Sequence, residues 1–525
     1  MPQQSEIPSA QQGEENFVCF LEDNARRLGA KPALVWDSGA LSWAELDQRA
    51  SGFAQFLAGQ GVAPGDRIAT LLPNHWSFAV ALLGILKLGA TAATLHPTLK
   101  PEELAEVLAD LQPRLVVEDA TSDPSTGSPA LAGGSRSGFR PTGVVEGPTG
   151  LPVGLHEGSW KTARFTSAAA VIVYTSGSTA RPKGAVFGHD AFTFANRSWG
   201  GPVMGITPDD IVLGVLPFAH NYGMNSSLLA PLLYGATVVI VEHYSPGSVL
   251  EIIGKRRVTV FPGVATMFRR ILNSPAFARA DLSSLRLAVS GAAPCPWELC
   301  EEWREKTGTR ILRGYGMTEV PRPISYFADD PKDVPDAIGR AIPDTRVQVV
   351  DDEGRPLAGG EVGEIWINCP GATSGYLNAV EETRAVLTDG WFKTGDLASV
   401  SPEGYVQIMG RKRERILRGG YSVFPQEVER VLLAHPAIAE AAVVGVPSAD
   451  LEEEVAAFVT LKPGAAAGAD ELSRYCQEHL SHFKFPRYVV IVDELPKGAA
   501  GKVIKAELLK GQYWLQPQRK PEHAA

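Results

Sequence analysis

From residue 17 to about 118 the chain alternates between stretches of helical period and short apolar runs. Ser42-Trp43-Ala44-Glu45 has the S-x-x-E form of a capping box and predicts a helix that runs to about Ala58. Arg67 to Leu72 reads as a buried strand. An apolar helix from Phe78 and a second strand near Ala92 follow it. Alternation of this kind implies parallel strands with helices on both faces. The apolar stretch 78–95 is interrupted by Lys87 and rich in Gly and Ala, which favours a buried core helix over a bilayer span.

Residues 120–160 are rich in Ser, Gly, Pro and Thr without periodicity, and predict a surface connection rather than a fold element. A second α/β region spans about 168–330, with candidate strands at 171–174, 211–213, 237–241, 258–261 and 285–289. Between 339 and 410 the pattern becomes antiparallel β, with turn signals at Asp352-Glu353-Gly354 and Pro402-Glu403-Gly404. After Gly410 comes the basic run Arg411 to Arg415. A small α+β unit follows, with a helix opened by Pro425, strands near 441–445 and 488–492, a helix near 470–480, and a last helix from about 503. The fold class expected is α/β: a large N-terminal domain at 15–410 and a small C-terminal domain at 411–525. A disordered tail is expected at 1–14.

Composition narrows the function. The formal net charge of −10 argues against a general nucleic-acid surface, although one basic pocket for a small anion is compatible with it. The five cysteines form no C-x-x-C pair and no zinc pattern, which points to a reducing, cytoplasmic setting with mostly buried thiols. The polar N-terminus lacks the form of a secretion signal, and the chain ends without a peroxisomal or lipidation address.

The strongest chemical signal is Tyr174 to Gly184, which reads YTSGSTARPKG. Thr175, Ser176, Gly177, Ser178 and Thr179 supply hydroxyls and a glycine, and Lys183 adds a cation. Backbone N–H groups, hydroxyls and one ammonium suit a triphosphate. The Walker A spacing is absent, and taken alone the segment is also compatible with an ordinary turn. Gly314-Tyr315-Gly316-Met317-Thr318-Glu319, Thr394-Gly395-Asp396, Gly410-Arg411 and Pro496 to Lys502 (PKGAAGK) follow in order.

With these motifs in view, the chain from about 20 to 510 resembles the adenylate-forming superfamily: acyl-CoA synthetases, non-ribosomal adenylation domains and firefly luciferases. The resemblance implies two α/β subdomains and a β-barrel-like subdomain in the large domain, and a mobile small domain. It also implies an ATP-dependent ligase that joins a carboxylic acid to AMP and then to coenzyme A. Tyr315 would stack on adenine and Thr318 would bond the α-phosphate. Glu319 would hold Mg²⁺, a hard cation suited to carboxylate oxygen. Gly291, Ala292 and Ala293 would wall the nucleotide and acyl pocket, where small residues let a ligand lie against the backbone. Asp396 would accept the ribose hydroxyls, and Arg411 would reach ribose or phosphate. Arg413 would be the hinge, Lys502 the mobile catalytic ammonium, and Gly419 with Gly420 the lining of a pantetheine tunnel.

His220 aligns with a family residue that closes the carboxylate end of the acyl pocket. No acid occurs from 214 to 241 to hold a substrate ammonium, so an α-amino acid is disfavoured. Tyr222, Met224, Val264, Ala292 and Ala293 suggest an apolar pocket of moderate size, for an aryl acid or a medium- or long-chain one. Three positions depart from the family: Ala180 in the phosphate loop, Glu414 beside the hinge, and Arg313 before the Gly-Tyr-Gly motif. A carrier-protein-loading enzyme and a catalytically silent scaffold remain as alternatives, and the oligomer as monomer or homodimer.

Overall fold

The computed structural model describes residues 17–119, 139–146, 152–158, 169–175, 182–330, 333–419, 421–448, 451–497 and 503–510. The density of internal contacts divides the chain into two units, 1–347 with 367–393, and 348–366 with 394–525.

In the first unit the capping box forms as its sequence dictates. Glu45 N–H donates to Ser42 Oγ at 3.2 Å, and Ser42 N–H donates to Glu45 Oε2 at 2.8 Å. The helix Trp43–Gly59 follows. The strands Arg67–Leu71 and Thr91–Thr94 are buried at every position, because helices cover both faces of their sheet. They run parallel, Ile68 opposite Ala92, and Ala92 lies opposite Val171 of the strand Ala169–Thr175. The helix Trp76–Lys87 is buried from Trp76 through Leu86, a core helix. Among the described residues no helix is long and apolar enough to cross a membrane.

The expectation for residues 120–160 is corrected. Phe139–Glu146 and Pro152–Gly158 are strands. They pair antiparallel, and Pro152–Gly158 also pairs with Leu115–Asp119, Val117 opposite Leu155. Together they end one side of an eight-stranded sheet. Pro and Gly are compatible with an edge position, and the register shift between Pro141 and Val144 absorbs the irregular spacing. Composition hid the strands because backbone pairing with a distant neighbour leaves no local mark in the sequence.

The second large sheet holds Ile211–Gly214, Thr237–Ile240, Val260–Gly263, Leu287–Ser290 and Ile311–Leu312 as parallel neighbours. Two strands begin two residues later than the apolar runs predict. Parallel strands put their carboxyl ends on one edge, where open α/β sheets bind ligands. The segments that leave this edge carry His220, Val264, Gly291 to Ala293, and Gly314 to Glu319.

In the second unit Asp396 to Val400 pairs antiparallel with Val406–Arg411 through a turn at Gly404, whose φ is +85°. The remainder is a small α+β fold. Tyr421–Val423, Ile416–Arg418, Glu452–Leu461 and Ile438–Ser448 form an antiparallel sheet, which Tyr488–Ile491 joins in parallel. The helices Pro425–Ala434 and Ala469–His479 bury Val428, Leu432, Leu472 and Cys476 against it. Among the described residues the last helix is a single turn, Lys505–Leu508.

Candidate active site

The hairpin that carries the phosphate-loop motif is built on Ala169–Thr175 and Lys183–Gly188, with Thr175 directly opposite Lys183. Ser176, Gly177, Ser178 and Thr179, with Ala180, lie outside the described residues. Lys183 Nζ stands 5.4 Å from the centre of the Tyr376 ring, a cation–π contact. Tyr376 reaches this place because Gly375–Tyr376 adds antiparallel to the hairpin, Tyr376 opposite Ala185. Its hydroxyl donates to Glu319 Oε1 at 2.7 Å. Burial first, and the Glu319 charge second, hold the Tyr376 phenol above its usual range, so it stays a donor. Thr373 N–H donates to the Glu319 carbonyl at 2.8 Å. Lys183, Tyr376 and Glu319 thus form one connected group.

Gly314–Tyr315 is a short strand paired with Ile324–Ser325, Tyr315 opposite Ile324. Beneath it lies Arg322, 3% exposed. Its Nη1 donates to the Ser290 carbonyl at 3.0 Å, Nη2 to the Leu312 carbonyl at 3.3 Å, and Nε to Ser325 Oγ at 2.9 Å. Its guanidinium carbon is 4.9 Å from the Trp199 ring centre. Among the described residues it has no carboxylate partner. Desolvation lowers its pKa to about 10, which leaves it charged at neutral pH. One side chain therefore ties Ser290, which precedes Gly291, to Leu312, which precedes the tyrosine strand. A side chain at Gly316 would meet the Arg322 backbone nitrogen at 2.4 Å, so only glycine fits there.

Arg313 does not face the nucleotide segment through a charge pair. It donates to the carbonyls of Val334 and Pro335 at 2.8 and 2.6 Å and stacks near Trp297 and Tyr326.

His220 is exposed at the start of the turn Asn221–Gly223, and its Nδ1 accepts the Tyr222 N–H at 3.1 Å. With Nδ1 an acceptor, the neutral ring carries its proton on Nε2, a donor suited to a carboxylate. Tyr222 is buried, and its hydroxyl lies 3.0 Å from each of the carbonyls of Gly263 and Val289, which share its one proton. Its ring lies under Gly291, where a Cβ would come within 2.8 Å of it, and its centre is 5.4 Å from that of Trp199. Ala292 has φ +62°, a left-handed backbone that residues other than glycine rarely adopt, and both Ala292 and Ala293 are exposed. Val264 is half-buried, whereas Met224 is fully enclosed in the core, inside a π-helical turn Met224–Leu229. A buried amide ladder runs from Asn196 to Asn225 Oδ1 at 2.9 Å, from Asn225 to Asn221 Oδ1 at 2.7 Å, and from Asn221 to the Thr318 carbonyl at 3.2 Å. It fixes the backbone at Thr318.

In the second unit Asp396 and Arg411 are direct cross-strand partners, and Arg411 Nε meets Asp396 Oδ1 at 2.8 Å. The Asp396 side chain is 4% exposed and that of Arg411 41%. Thr394 steadies the turn: its hydroxyl donates to the Ile365 carbonyl at 2.7 Å and accepts the Asp396 N–H at 3.0 Å. Arg413 is exposed in the one-turn helix Lys412–Glu414. Gly419 has φ +55° and donates to the Leu451 carbonyl at 2.8 Å. Gly420 and Lys502 lie outside the described residues. Lys497 and Val503 pair in an antiparallel bridge, and Ile504 N–H donates to the Pro496 carbonyl at 2.8 Å.

The first unit therefore assembles Thr175, Lys183, His220, Val264, Gly291 to Ala293 and Gly314 to Glu319 along one sheet edge and its adjoining hairpin. Sequence reasoning missed Tyr376, Arg322, Trp199 and the amide ladder. None has a local signature: Tyr376 sits 57 positions from Glu319, and Arg322 reads as a loop cation.

Profiles of two families match the chain: AMP-binding enzyme at residues 21–377 and AMP-binding enzyme C-terminal domain at 427–502. The feruloyl-CoA synthase of an Amycolatopsis species is 34% identical over 480 residues, which is 89% of this chain and 93% of that protein. The long-chain-fatty-acid–CoA ligase of Bacillus subtilis is 31% identical over 525 residues, covering 94% of this chain and 93% of that one. Among solved structures, ATP-bound MatB from Rhodopseudomonas palustris superposes with a TM-score of 0.83 at 31% identity, covering 94% of this chain and 98% of that one.

Proposed function

The chain belongs to the AMP-binding enzyme family and is an adenylate-forming acyl-CoA ligase, and we propose that its acid is apolar and aromatic. The observation that carries this reading is the Trp199–Tyr222 aromatic pair, with Tyr222 pressed under the Gly291 backbone at the carboxyl edge of the sheet. The two rings are themselves buried and back a flat wall of bare backbone, Gly291 with the exposed Ala292 and Ala293, and a flat wall favours a planar guest. The feruloyl relative supports the same class.

A carboxylate must approach the α-phosphorus of ATP, itself an anion. At 4 Å two unit charges interact by about 1 kcal/mol in water and about 4 kcal/mol in a partly dry site. His220, presenting Nε2–H, holds the acid. Tyr315 packs on the base, Thr318 bonds the α-phosphate, and Thr175 to Thr179 with Lys183 cradle the rest of the triphosphate. Asp396 and Arg411 serve the ribose end. Lys502 supplies an ammonium where negative charge develops on phosphorus. Pyrophosphate leaves, and the thiol of coenzyme A then attacks the acyl carbonyl and displaces AMP.

Glu319 suits Mg²⁺. It is a half-buried carboxylate that accepts from the neutral Tyr376 hydroxyl, and Mg²⁺ characteristically takes one or two carboxylates with substrate phosphates. The ion would neutralise phosphate oxygens as the bond to pyrophosphate breaks. We place the small, moving domain at 411–525 with its hinge at Arg413, the pantetheine channel along Gly419 and Gly420, and the enzyme in the cytoplasm, where its five free thiols fit a reducing setting.

The test is pyrophosphate release over a panel of aryl, medium-chain and long-chain acids, followed by coenzyme A and detection of the thioester by mass. Turnover of aryl acids at least about tenfold above the aliphatic ones is expected. Preference for a long alkyl acid would overturn the substrate class.

A further inference from the structure

Two residues past the Gly291–Ala293 wall, Cys295 meets Cys300 of the helix Trp297–Thr307 with 3.6 Å between their sulfurs. Cys295 is half-buried and Cys300 buried. We propose that these thiols close reversibly into a disulfide when met by a hydroperoxide, and that the closure disables the adjacent wall. The second half of this rests on the reading of Gly291 to Ala293 as the nucleotide and acyl wall.

The neighbours assign an order to the two sulfurs. The Cys300 hydrogen bond holds the Cys295 thiol below its usual range. Burial opposes the shift, and Ser290, Arg313 and Arg269 assist it. The same hydrogen bond, with burial, pushes Cys300 up. Cys295 thus attacks first, since the thiolate is the nucleophile. Its sulfur bonds to one peroxide oxygen, the O–O bond breaks, and the other oxygen leaves as water, giving a sulfenic acid at Cys295. The Cys300 sulfur then attacks that sulfur, the S–O bond breaks, and hydroxide leaves with the Cys300 proton as water. Two thiols and one hydrogen peroxide become one disulfide and two waters.

A disulfide needs sulfurs about 2.05 Å apart, so the pair must close by about 1.5 Å. Cys295 leaves the wall through Pro294 only. Ala292, already in a left-handed conformation, has little room to absorb the pull. The closure also draws Cys295 away from Arg313, which favours its charged form and whose neighbour Gly314 begins the Tyr315 strand. A displacement of about 1 Å near reacting groups costs up to about 100-fold in rate.

The full chain is treated with hydrogen peroxide, mapped by peptide mass, and assayed for adenylation before and after dithiothreitol. The expected result is a Cys295–Cys300 disulfide, an about tenfold loss of adenylation, and recovery on reduction. Cys295→Ser should keep its activity through the same treatment. Cys300→Ser, which keeps a hydrogen-bond donor beside Cys295 but cannot form the disulfide, should instead trap a sulfenic acid at Cys295, captured by dimedone. Absence of that disulfide in the map overturns the proposal. So does a disulfide that leaves the rate unchanged, or a Cys295→Ser enzyme that loses activity equally. The mapping does not depend on turnover, so an enzyme inactive with every acid would refute the functional reading and leave the thiol chemistry separately decided.

Discussion

Tyr376 gives its hydroxyl hydrogen to Glu319 Oε1 across 2.7 Å, and the same ring carries Lys183 Nζ on its face at 5.4 Å. A residue from a two-residue strand thereby sets the direction of the acid assigned to the metal and the position of the cation assigned to the phosphates. Tyr376→Phe keeps the ring and deletes the donor. The Mg²⁺ concentration for half-maximal adenylation should rise about tenfold, the usual cost of losing a group that orients a metal ligand. Because the phenol is held above its usual range, the ratio of variant to wild-type rate should stay flat from about pH 6 to 9. An unchanged Mg²⁺ requirement would refute the role of the contact.

Arg322 joins the Ser290 and Leu312 carbonyls from below. Arg322→Met would leave buried acceptors without donors, each costing about 1–3 kcal/mol, so the variant should unfold at clearly lower temperature. Arg322→Lys keeps the charge but not the planar fork. It should raise KM for ATP about tenfold while kcat changes less, because the Tyr315 strand loses its register with the Gly291 wall. Equal loss in both constants would make the role purely structural.

Asp210 grips Arg286 through both oxygens at 2.8 Å and accepts the Thr259 hydroxyl and the Thr207 N–H. Burial alone would raise its pKa, but these bonds outweigh it and the carboxyl falls below its usual range. A depressed folded value gives stability that is fully present above the unfolded value of about 3.9 and is lost as pH falls through the folded one. Asp210→Asn should therefore cost about 2 kcal/mol at pH 7, discounted for the exposed part of Arg286, with the difference shrinking as pH falls below the unfolded value. Thermal unfolding of both proteins from pH 7 down into acid checks it, and a gap that widens in acid would contradict it.

Much of this molecule was legible in its residues, for physical reasons that can be named. The strand Arg67–Leu71, the helix Trp43–Gly59 with its capping box, and the helix opened by Pro425 follow from local pattern and local hydrogen bonds. The strands Phe139–Glu146 and Pro152–Gly158 did not, since they are ordered by pairing with each other and, through Pro152–Gly158, with Leu115–Asp119. The motif residues were visible because their spacing is local. Arg322 and Tyr376 were not, because each acts on groups brought close only by the fold, and neither is flanked by any pattern that marks it. Its residue type suggests that Met224 lines a pocket, but it sits fully enclosed in the core. A helical period tells which residues are apolar but not which side of the wall they face.

In the proposed mechanism Lys502 acts in one half-reaction only. The direct measurement compares wild type with Lys502→Ala in two assays: pyrophosphate release from acid and ATP, and thioester formation from supplied acyl-adenylate and coenzyme A. The first rate should fall by on the order of 10²–10³, as for loss of a donor to developing charge, and the second should change less than about threefold. An equal fall in both, or no fall in the first, would contradict it.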